Sequence, residues 1–557
     1  MPLHPSVEER LSKLAPDQRA AATAPPGPVL CVAPAGSGKT TTLVARIAWL
    51  VATGAAPDSI CAVTFNKRAA DELGDRVGSA LEPLGVPRRR ADRGTGLIRV
   101  RTFHALGREI LLDAGRSVEG LVDRMQALRE IVGEVSAADL RRLDDGFSRL
   151  KLDLAVDAAV LAGEVEAAEA RGAPPGPIVR TFLRYEAALA AREALDFDDL
   201  VRGAISALES DVALLRRWRE RCRELLVDEV QDVDRSQLRL AMLLAAPDNR
   251  IFLVGDDDQT IYAWRLADVR RVIDLAALLP GLHRVDLVTN YRCPPVVVER
   301  AVRLVEHNRE RFAKRIRAGS SSTGRLFLLP DPGDDVARAR RLLAEWPVPA
   351  HETRAVLART NAELAPYAAV ALERGLPYRA ADDGLLLDDD TVDELLEAVS
   401  SGAAPGGSSD SAALPLLERL LVARAGAGPE HGRAAASLLA WAPRHRTPAE
   451  LRAALAAARA LRMAVRRDDA PLHLATAHAT KGLEFDHVAV VGMDEGRFPS
   501  RRTLDESDDP ERAMEEERRL AYVAWTRARR SLTLVYDPGA PSPFLAEAFS
   551  AAELGEP

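Results

Sequence analysis

The chain has 557 residues, of which 47% are hydrophobic and 28% are charged, and its formal net charge is −8. This length is too great for a single hydrophobic core and predicts a globular protein of roughly two to four domains. The acidic net charge excludes a polycation that coats nucleic acid, so any nucleic-acid site must be a local groove.

The four cysteines are scattered along the chain and form no closely spaced pair. This pattern favours neither a zinc site nor a disulfide framework. The sequence contains no N-terminal signal peptide and no apolar run of membrane-spanning length. We therefore expect a cytoplasmic protein without membrane association.

The first strongly patterned stretch has the sequence P-V-L-C-V-A-P-A-G-S-G-K-T-T-T, from residue 28 to residue 42. Val29–Val32 predicts a buried strand, and Thr40–Leu50 has the apolar spacing of a helix. A glycine-rich turn between a strand and a helix N-terminus is the context of a phosphate-binding loop. Lys39 would reach the β- and γ-phosphates, and the Thr40 hydroxyl would hold Mg²⁺. The other predicted nucleotide contacts in this loop are Ala35, Gly36, Ser37, Gly38 and Thr41.

Two residues near this turn leave alternatives open. Ala33 occupies the first glycine position of the usual phosphate-loop pattern, so a glycine-rich turn with a chance lysine is the alternative interpretation. Gln18 lies just upstream, where a side-chain amide can read both edges of adenine. Taken alone, a single glutamine is more often a solvated surface residue.

Two further strands are predicted at Ser59–Phe65 and Ile98–Phe103. Each is followed by a polar-aromatic turn at the expected carboxyl edge of a parallel sheet, where α/β folds bind ligands. Residues 105–195 then have a helical pattern without strand signals, which predicts an inserted all-α subdomain. The stretch A-L-D-F-D-D-L at 194–200 marks the return to the sheet.

An apolar strand that ends in adjacent acids follows at Glu224–Asp232. In this arrangement Asp228 binds Mg²⁺, and Glu229 orients and deprotonates an attacking water. The alternative to these catalytic roles is an acidic turn without function. Because a phosphate loop precedes this stretch in the chain, that alternative is far weaker. The stretch Arg250–Gln259 repeats the design, and its Gln259 can sense a γ-phosphate.

Aromatic residues follow in T-I-Y-A-W-R, on a predicted loop. Exposed rings on a loop can stack on nucleic-acid bases. Stacking is favoured for Trp264, whereas Tyr262 is balanced between stacking and core packing.

A second α/β unit is predicted to begin at Asp286–Pro294, where Tyr291 and Arg292 follow a strand and could contact the base and the γ-phosphate. Further strands are predicted at Leu326–Leu329 and Ala355–Leu357. The region that follows contains alanine-rich helices and a low-complexity linker at 402–412.

The second unit resumes at Leu472–Gly482, where a strand and a polar turn place His478 and Glu484 on one loop. Near the end of the chain, residues 515–530 predict a helix that leads into a strand at Ser531–Tyr536. Arg527 lies at the end of that helix.

Taken in order, these motifs resemble those of the UvrD/Rep/PcrA family of superfamily 1 DNA helicases and translocases. The matching stretches are A-P-A-G-S-G-K-T, T-F-N-K-R-A-A-D-E-L, T-F-H-A-L-G, D-E-V-Q-D, G-D-D-D-Q-T-I-Y-A-W-R, N-Y-R-C-P, T-A-H-A-T-K-G-L-E-F and Y-V-A-W-T-R-A. They lie between residues 18 and 536. Eight motifs in family order make the resemblance highly specific.

The resemblance implies an α/β protein with two RecA-like P-loop domains, each with a parallel sheet, and ATP in the cleft between them. The first motor domain is predicted at 1–104 and 196–280, with the helical accessory subdomain at 105–195. The second is predicted at 281–382 and 471–548. Residues 383–470 would form a short helical and linker insert in place of a full accessory subdomain.

The resemblance also assigns roles to individual residues. Gln18 and Tyr291 correspond to adenine contacts, and Glu484 to the ribose contact. Lys39, Thr40 and Asp228 correspond to the phosphate and Mg²⁺ contacts, and Glu229 to the catalytic base. Gln259, Arg292 and Arg527 correspond to the γ-phosphate sensor and two arginine fingers. The single-strand path would be lined by Phe65, His104, Tyr262, Trp264 and His478.

The function implied is ATP-dependent translocation on single-stranded DNA and unwinding in the 3′ to 5′ direction, in DNA repair, replication or recombination. Its cofactors would be ATP and Mg²⁺, and its partners single-stranded DNA, junctions of single- and double-stranded DNA and a repair or replication protein. A monomer is favoured, although the sequence does not fix the oligomeric state. The alternatives are a DNA-stimulated ATPase that needs a partner to unwind, and an accessory subunit in which hydrolysis switches single-strand binding.

The chain departs from the family pattern at Val230, Leu266 and Cys293, where an aromatic residue, a glycine and a serine are usual. None of these departures removes a charge or a ligand. The short region from 383 to 470 is the larger departure, because it puts duplex contact, autoinhibition and processive unwinding in question.

Overall fold

The computed structural model describes residues 3–87, 98–133, 135–152, 158–170, 176–263, 266–319, 323–346, 351–387, 389–401, 415–426, 429–441 and 445–555. The chain divides into two compact units. The first consists of Met1–Val288 together with Glu310–Arg315, and the second of Thr289–Arg309 together with Ile316–Pro557. Each unit contains a six-stranded parallel sheet, which confirms the predicted α/β class.

The first sheet has the strand order β3-β2-β4-β5-β1-β6, and all its neighbouring strands are parallel. Its strands are β1 (Val29–Val32), β2 (Ile60–Thr64), β3 (Arg99–Thr102), β4 (Glu224–Val227), β5 (Ile251–Gly255) and β6 (His283–Asp286). The four central strands are buried along their whole length. Near-continuous apolar runs are typical of parallel strands that are covered on both faces. The sheet therefore gathers the turns after β1, β2, β4 and β5 at one edge.

The helices of the first unit are α1 (Pro5–Ser12), α2 (Pro16–Ala22), α3 (Lys39–Ala52), α4 (Lys67–Leu81), α5 (Phe103–Asp113), α6 (Arg124–Val132), α7 (Ala137–Leu152), α8 (Ala158–Ala170), α9 (Pro177–Ala191), α10 (Asp199–Ser210), α11 (Val212–Arg221), α12 (Arg235–Ala245), α13 (Val269–Ile273) and α14 (Leu275–Leu278). Polar residues after the strands start several of them. Asn66 accepts a hydrogen bond from the Ala69 amide at the start of α4, and Thr102 accepts one from the Ala105 amide at the start of α5. Such caps satisfy amides that have no partner within the helix.

Helices α6, α7 and α9 of the predicted insert enclose a hydrophobic cluster of their own. A polar network beneath it holds the start of α10. The Lys151 ammonium is fully buried and lies 2.8–2.9 Å from the carboxylates of Asp196, Asp199 and Glu186. A buried cation needs such partners, because an unpaired charge in the interior is very costly. The network fixes the turn that carries Phe197.

The second sheet has the order β11-β12-β10-β13-β14-β9, again with all neighbours parallel. Its strands are β9 (Arg325–Pro330), β10 (Arg354–Ala358), β11 (Tyr378–Arg379), β12 (Leu472–Thr476), β13 (Phe485–Val490) and β14 (Ala528–Tyr536). Two short strands, β7 (Thr289–Asn290) and β8 (Arg317–Ala318), pair separately.

The helices of the second unit are α15 (Pro295–Val305), α16 (Asp335–Glu345), α17 (Ala365–Glu373), α18 (Asp390–Ser401), α19 (Leu416–Gly426), α20 (Pro429–Leu439), α21 (Pro448–Val465), α22 (Arg501–Asp505), α23 (Pro510–Trp525), α24 (Pro543–Ala548) and α25 (Ala551–Leu554). Helices α18 to α21 occupy the predicted short insert. Their buried side chains, such as Leu395 and Leu455, belong to the same hydrophobic cluster as Val356 and Leu474 of the sheet. Along the described residues these helices therefore share the core of the second unit. The predicted linker at 402–412 lies outside the described residues.

The structure corrects the predicted boundary between the two motor domains. The units divide after Val288, and not after residue 280. The reason is β6, which pairs in parallel with β1 and completes the first sheet. The sequence had assigned the end of this strand, at Asp286, to the second unit. The return of Glu310–Arg315 to the first unit was not predicted either.

Among the described residues, no helix combines the length and apolarity needed to cross a bilayer.

Candidate functional site

The turn after β1 has the backbone of a phosphate-binding loop. Gly36 and Gly38 have φ angles of +67° and +84°, in the left-handed region that favours glycine. Gly38 is the N-cap of α3, so the loop leads directly into the first amides of the helix. These amides have no acceptor within the helix and attract an anion. The Ser37 hydroxyl oxygen is buried in this loop without a hydrogen-bond partner, which is consistent with a polar ligand there.

Gln18 packs directly against this loop. Its side chain is buried, its Nε2 donates to the Ser37 carbonyl at 2.8 Å, and its Oε1 accepts from the Ala15 amide at 3.1 Å. Both polar ends of the amide are thus used within the protein, and the adenine contact stays a prediction. Thr41 is exposed, and its hydroxyl accepts a hydrogen bond from Arg76.

Two predicted catalytic groups and a predicted metal ligand lie together at the edge of the first sheet. The Lys39 Nζ is 3.7 Å from a carboxylate oxygen of Glu229. Asp228 directly follows β4 and is buried, and its burial and the neighbouring Glu229 carboxylate raise the pKa of Asp228 to about 7. A carboxyl group whose charge is so poorly solvated gains most from a bound cation, and carboxylate oxygens are ligands that Mg²⁺ prefers. The residues present therefore fit a magnesium–nucleotide complex.

Glu229 has a left-handed backbone, with φ at +52°. Non-glycine residues in this conformation are uncommon and concentrate at functional sites. The Glu229 amide donates to the Asp228 carboxylate at 3.0 Å, and the Gln231 side-chain amide donates to the Glu229 carboxylate. The first contact holds the Glu229 main chain, and the second holds its carboxylate, which lies beside Lys39.

Gln259 lies on the turn after β5 and is linked to the same group of residues. Its Nε2 donates to the Asp256 carboxylate at 2.7 Å. The Asp256 amide in turn donates to the Gln231 Oε1 at 3.0 Å. A continuous path of hydrogen bonds therefore connects Gln259 with Glu229 through Asp256 and Gln231.

Aromatic side chains of the first unit form two stacked pairs. Phe65 and Tyr262 stack with ring centroids 5.2 Å apart, and His104 and Phe197 stack with centroids 3.9 Å apart. Phe197 is 51% exposed, so its ring is accessible to a ligand although it stacks on His104. Sequence reasoning missed Phe197, although the A-L-D-F-D-D-L stretch was noticed. An aromatic residue among acids was the available signal. Trp264 lies outside the described residues.

In the second unit, the predicted finger Arg292 is held by its neighbours. The Asn290 Oδ1 accepts from the amides of Arg292 and Cys293, each at 2.8 Å. The Arg292 Nε donates to the Glu484 carboxylate at 2.8 Å, so the predicted finger and the predicted ribose contact form an ion pair. Tyr291, which lies between Asn290 and Arg292 in the sequence, is exposed.

Arg527 is buried directly before β14. Its guanidinium donates to the carbonyls of Val523 at 2.9 Å and Leu483 at 3.1 Å. An Arg292 Nη donates to the carbonyl of Thr526, next to Arg527. The two predicted fingers are therefore neighbours within this unit.

His478 begins a single 3-10 turn after β12. Burial, together with the positive charges of Arg359 and Lys481, lowers the pKa of His478 to about 4. The imidazole is therefore neutral at pH 7, and it offers a ring and a hydrogen-bonding nitrogen rather than a positive charge.

Asp256, Asp257 and Asp258 are the one group of three or more histidine, cysteine or acidic side chains, among the described residues, that lies close enough to share a metal ion. Lys314 and Arg311 already pair with them. Two cationic side chains therefore neutralise most of the charge that would attract a metal.

Known helicases are similar to this chain over most of its length. The UvrD/REP helicase N-terminal domain matches residues 14–277, and the UvrD-like helicase C-terminal domain matches residues 452–538. The ATP-dependent DNA helicase UvrD2 of Mycobacterium tuberculosis is 32% identical over 555 residues, which cover 93% of this chain and 77% of that protein. The ATP-dependent DNA helicase Rep of Escherichia coli is 27% identical over 627 residues, covering 94% of this chain and 90% of Rep. The chain therefore belongs to the UvrD/Rep family of helicases.

Proposed function

We propose that the protein hydrolyses ATP with Mg²⁺ and uses the hydrolysis to move 3′ to 5′ along single-stranded DNA and to separate duplex strands. The contact between Lys39 and Glu229 carries this proposal, because it brings a phosphate-loop lysine and a carboxylate base together beside a buried aspartate. The names of the similar UvrD2 and Rep proteins, both ATP-dependent DNA helicases, support the choice of nucleotide and nucleic acid.

The roles of the first unit's residues follow from their chemistry. Lys39 and the amides of Ala35, Gly36, Ser37 and Gly38 would bind the phosphates, while Thr40 and Asp228 would hold the metal. Bound Mg²⁺ would supply charge neutralisation on the phosphate oxygens. Glu229 would orient and deprotonate a water molecule, and Gln259 would report on the γ-phosphate.

The second unit would contribute charge stabilisation. Phosphoryl transfer spreads negative charge over the transferred oxygens, and arginine is well suited to stabilise it. We assign this role to Arg292 and Arg527. Tyr291 would contact the adenine with Gln18, and Glu484 would contact the ribose. The ion pair of Glu484 with Arg292 must then open or be shared when nucleotide binds.

Single-stranded DNA would run across the aromatic pairs of the first unit. Stacking of bases on aromatic side chains tolerates any base sequence, which a translocating enzyme requires. We assign this role to Phe65, His104, Tyr262 and Trp264, with His478 as the contact from the second unit. Exposed Phe197 joins this set on the strength of its stacking against His104.

Repair, replication or recombination of DNA is the proposed setting, in the cytoplasm, with a junction of single- and double-stranded DNA as substrate. A monomer is the proposed working form, with a repair or replication protein as its loading partner.

The test is strand displacement from a duplex with a 3′ single-stranded tail, run beside the same duplex with a 5′ tail. ATP hydrolysis is measured in parallel, with and without single-stranded DNA, at one low salt concentration, because phosphate contacts weaken with salt. Displacement from the 3′ tail alone is expected. Lys39→Ala and Glu229→Gln should abolish it, whereas Lys13→Ala, at the exposed lysine that caps the C-terminus of α1, should not change it. Absence of stimulation by DNA would refute the proposal.

A DNA-stimulated ATPase that needs a partner to unwind is the second candidate. Its support is the sharing of one core by α18 to α21 and the second sheet, which leaves less of the insert to form a separate subdomain. The alignment with Rep is 627 positions long, so Rep has residues without a counterpart in these 557. Stimulated hydrolysis without displacement from either tail would favour this candidate over the helicase, and DNA binding without stimulated hydrolysis would favour the accessory switch.

A further inference from the structure

A six-residue segment, Glu310–Arg315, belongs to the first unit although the residues before and after it belong to the second. We call this segment the strap. Its sequence is E-R-F-A-K-R, and it lies outside the stretches matched by either helicase domain.

The strap forms ion pairs and hydrogen bonds with Asp256, Asp257 and Asp258, which we call the aspartate cluster. The Lys314 ammonium lies 2.7 Å from Asp256 and 2.9 Å from Asp258, and it also pairs with Asp257. Arg311 donates two hydrogen bonds to Asp258, at 3.0 and 2.8 Å. The main-chain amide of Phe312 donates a hydrogen bond to the Asp257 carboxylate at 2.8 Å.

These contacts are deeply buried. The side chain of Lys314 is 1% exposed, and those of the three aspartates are not exposed at all. Burial alone would raise the pKa of Asp256, yet the charges of Lys314 and Lys39 hold it below its ordinary value. The three carboxylates already outnumber the two strap cations that pair with them, and loss of the Lys314 charge would widen this excess of buried negative charge, which is strongly unfavourable.

Asp256 also belongs to the hydrogen-bond path of the nucleotide site. One of its carboxylate oxygens accepts from Lys314, and the other accepts from Gln259 at 2.7 Å. Its amide donates to Gln231, which donates to Glu229. Along this hydrogen-bond path, one residue therefore lies between Lys314 and Gln259, and two residues lie between Lys314 and Glu229.

We propose that Lys314 is a positioning residue for ATP hydrolysis, which sets the orientation of Gln259 and Glu229 through Asp256. This inference rests on the proposed function of the site. The mechanism is geometric: the ammonium fixes the plane of the Asp256 carboxylate, and that plane fixes the amide of Gln259. Misplacement of a catalytic group by about 1 Å can cost about a hundredfold in rate.

The test uses Lys314→Met in the full chain, with Lys314→Arg to restore the charge and Arg311→Gln as the matched control. Lys314→Met should lower the kcat of DNA-stimulated hydrolysis by about tenfold to a hundredfold, with little change in the KM for ATP. Lys314→Arg should recover most of this loss. Arg311→Gln removes a strap cation that forms two hydrogen bonds with Asp258, so it should lower thermal stability and leave kcat within about twofold.

A double-mutant cycle separates positioning from general destabilisation. If Lys314 acts through Gln259, Lys314→Met should have a much smaller effect on kcat in a Gln259→Ala background. Equal effects in both backgrounds would overturn the proposal, as would an unchanged kcat in Lys314→Met.

A readout without catalysis keeps the inference distinguishable from the proposed function. Hydrogen exchange should rise in Lys314→Met in the peptides that contain Gln231 and Gln259, and it should not rise there in Arg311→Gln. If the wild-type protein hydrolyses no ATP, the proposed function fails, while this exchange pattern still supports Lys314 as the residue that orders the segment. Unchanged exchange in Lys314→Met would overturn the inference in either case.

Discussion

Gly38 tests the phosphate loop most directly, because two separate features of the structure oppose a side chain there. Its φ angle is +84°, and the Cβ of an alanine would lie 2.6 Å from the Nε2 of Gln18. Real Cβ atoms do not approach other atoms so closely, so Gly38→Ala must either displace Gln18 or change the loop backbone.

The size of the effect follows from these two features. An alanine in the left-handed region costs about 1–2 kcal/mol. Displacement of Gln18 also breaks its bond to the Ser37 carbonyl, worth about 0.5–1.5 kcal/mol. If the loop escapes the backbone strain by leaving the left-handed region, nucleotide binding must restore it. The affinity for ATP should then fall by about fivefold to thirtyfold.

The assay is calorimetric titration with a non-hydrolysable ATP analogue, together with thermal unfolding. Gly85→Ala is the matched control, since Gly85 has a similar φ of +76° and nothing within 4 Å of a Cβ there. The control should lose a similar free energy of unfolding from the backbone alone and keep the wild-type affinity for nucleotide. An unchanged affinity for nucleotide in Gly38→Ala would refute the assignment of this turn as the nucleotide site. An equal loss of nucleotide affinity in Gly85→Ala would refute it too.

Three other variants test further parts of the site. Phe197→Ala should weaken binding of single-stranded DNA by about 1–3 kcal/mol in fluorescence anisotropy, because it removes the exposed ring stacked on His104, and an unchanged affinity would remove Phe197 from the DNA path. Asn290→Ala leaves two amides without their acceptor, which should reduce the free energy of unfolding by about 1–3 kcal/mol for a buried group. Because Arg292 is then less firmly held, this variant should lower kcat more than it raises KM in steady-state ATPase assays. A normal kcat would contradict the role of Asn290 in positioning Arg292. His478 is neutral in the folded state, with its pKa lowered from 6.5 to about 4, so its contribution to stability is complete above pH 6.5 and is lost as the pH falls towards 4. Urea unfolding at stepped pH should therefore show a smaller loss over this range in His478→Asn, and an identical loss would contradict the burial of the ring.

The sequence predicted the parts of the fold whose signals are local. Val29–Val32 became β1, and the glycine turn after it leads into α3 as expected, because strand, turn and helix signals lie next to one another. The adjacent acids after β4 were recognised for the same reason. Lys39 and Glu229 were predicted to serve one site, and their proximity depends only on the shared edge of a parallel sheet.

Other features depend on pairings between distant parts of the chain. β6 has few apolar residues, and only its register beside β1 places it in the first unit. Lys314 reads as one charge in a basic segment, yet it is buried against acids more than fifty residues earlier. The exposure of Phe197 also depends on the network that holds its turn. No local pattern reports such long-range contacts.

The strap has a practical consequence for expressing the two units as separate fragments. A fragment that ends at Val288 would contain every strand of the first sheet, and its boundary would look natural. It would nevertheless lack Lys314 and Arg311. The three carboxylates that these side chains neutralise would then be exposed to solvent or buried without their cationic partners. An active amino-terminal half therefore requires residues 310–315 to be supplied by fusion or in trans. For the same reason, a single crossover between genes of related enzymes cannot exchange one unit intact.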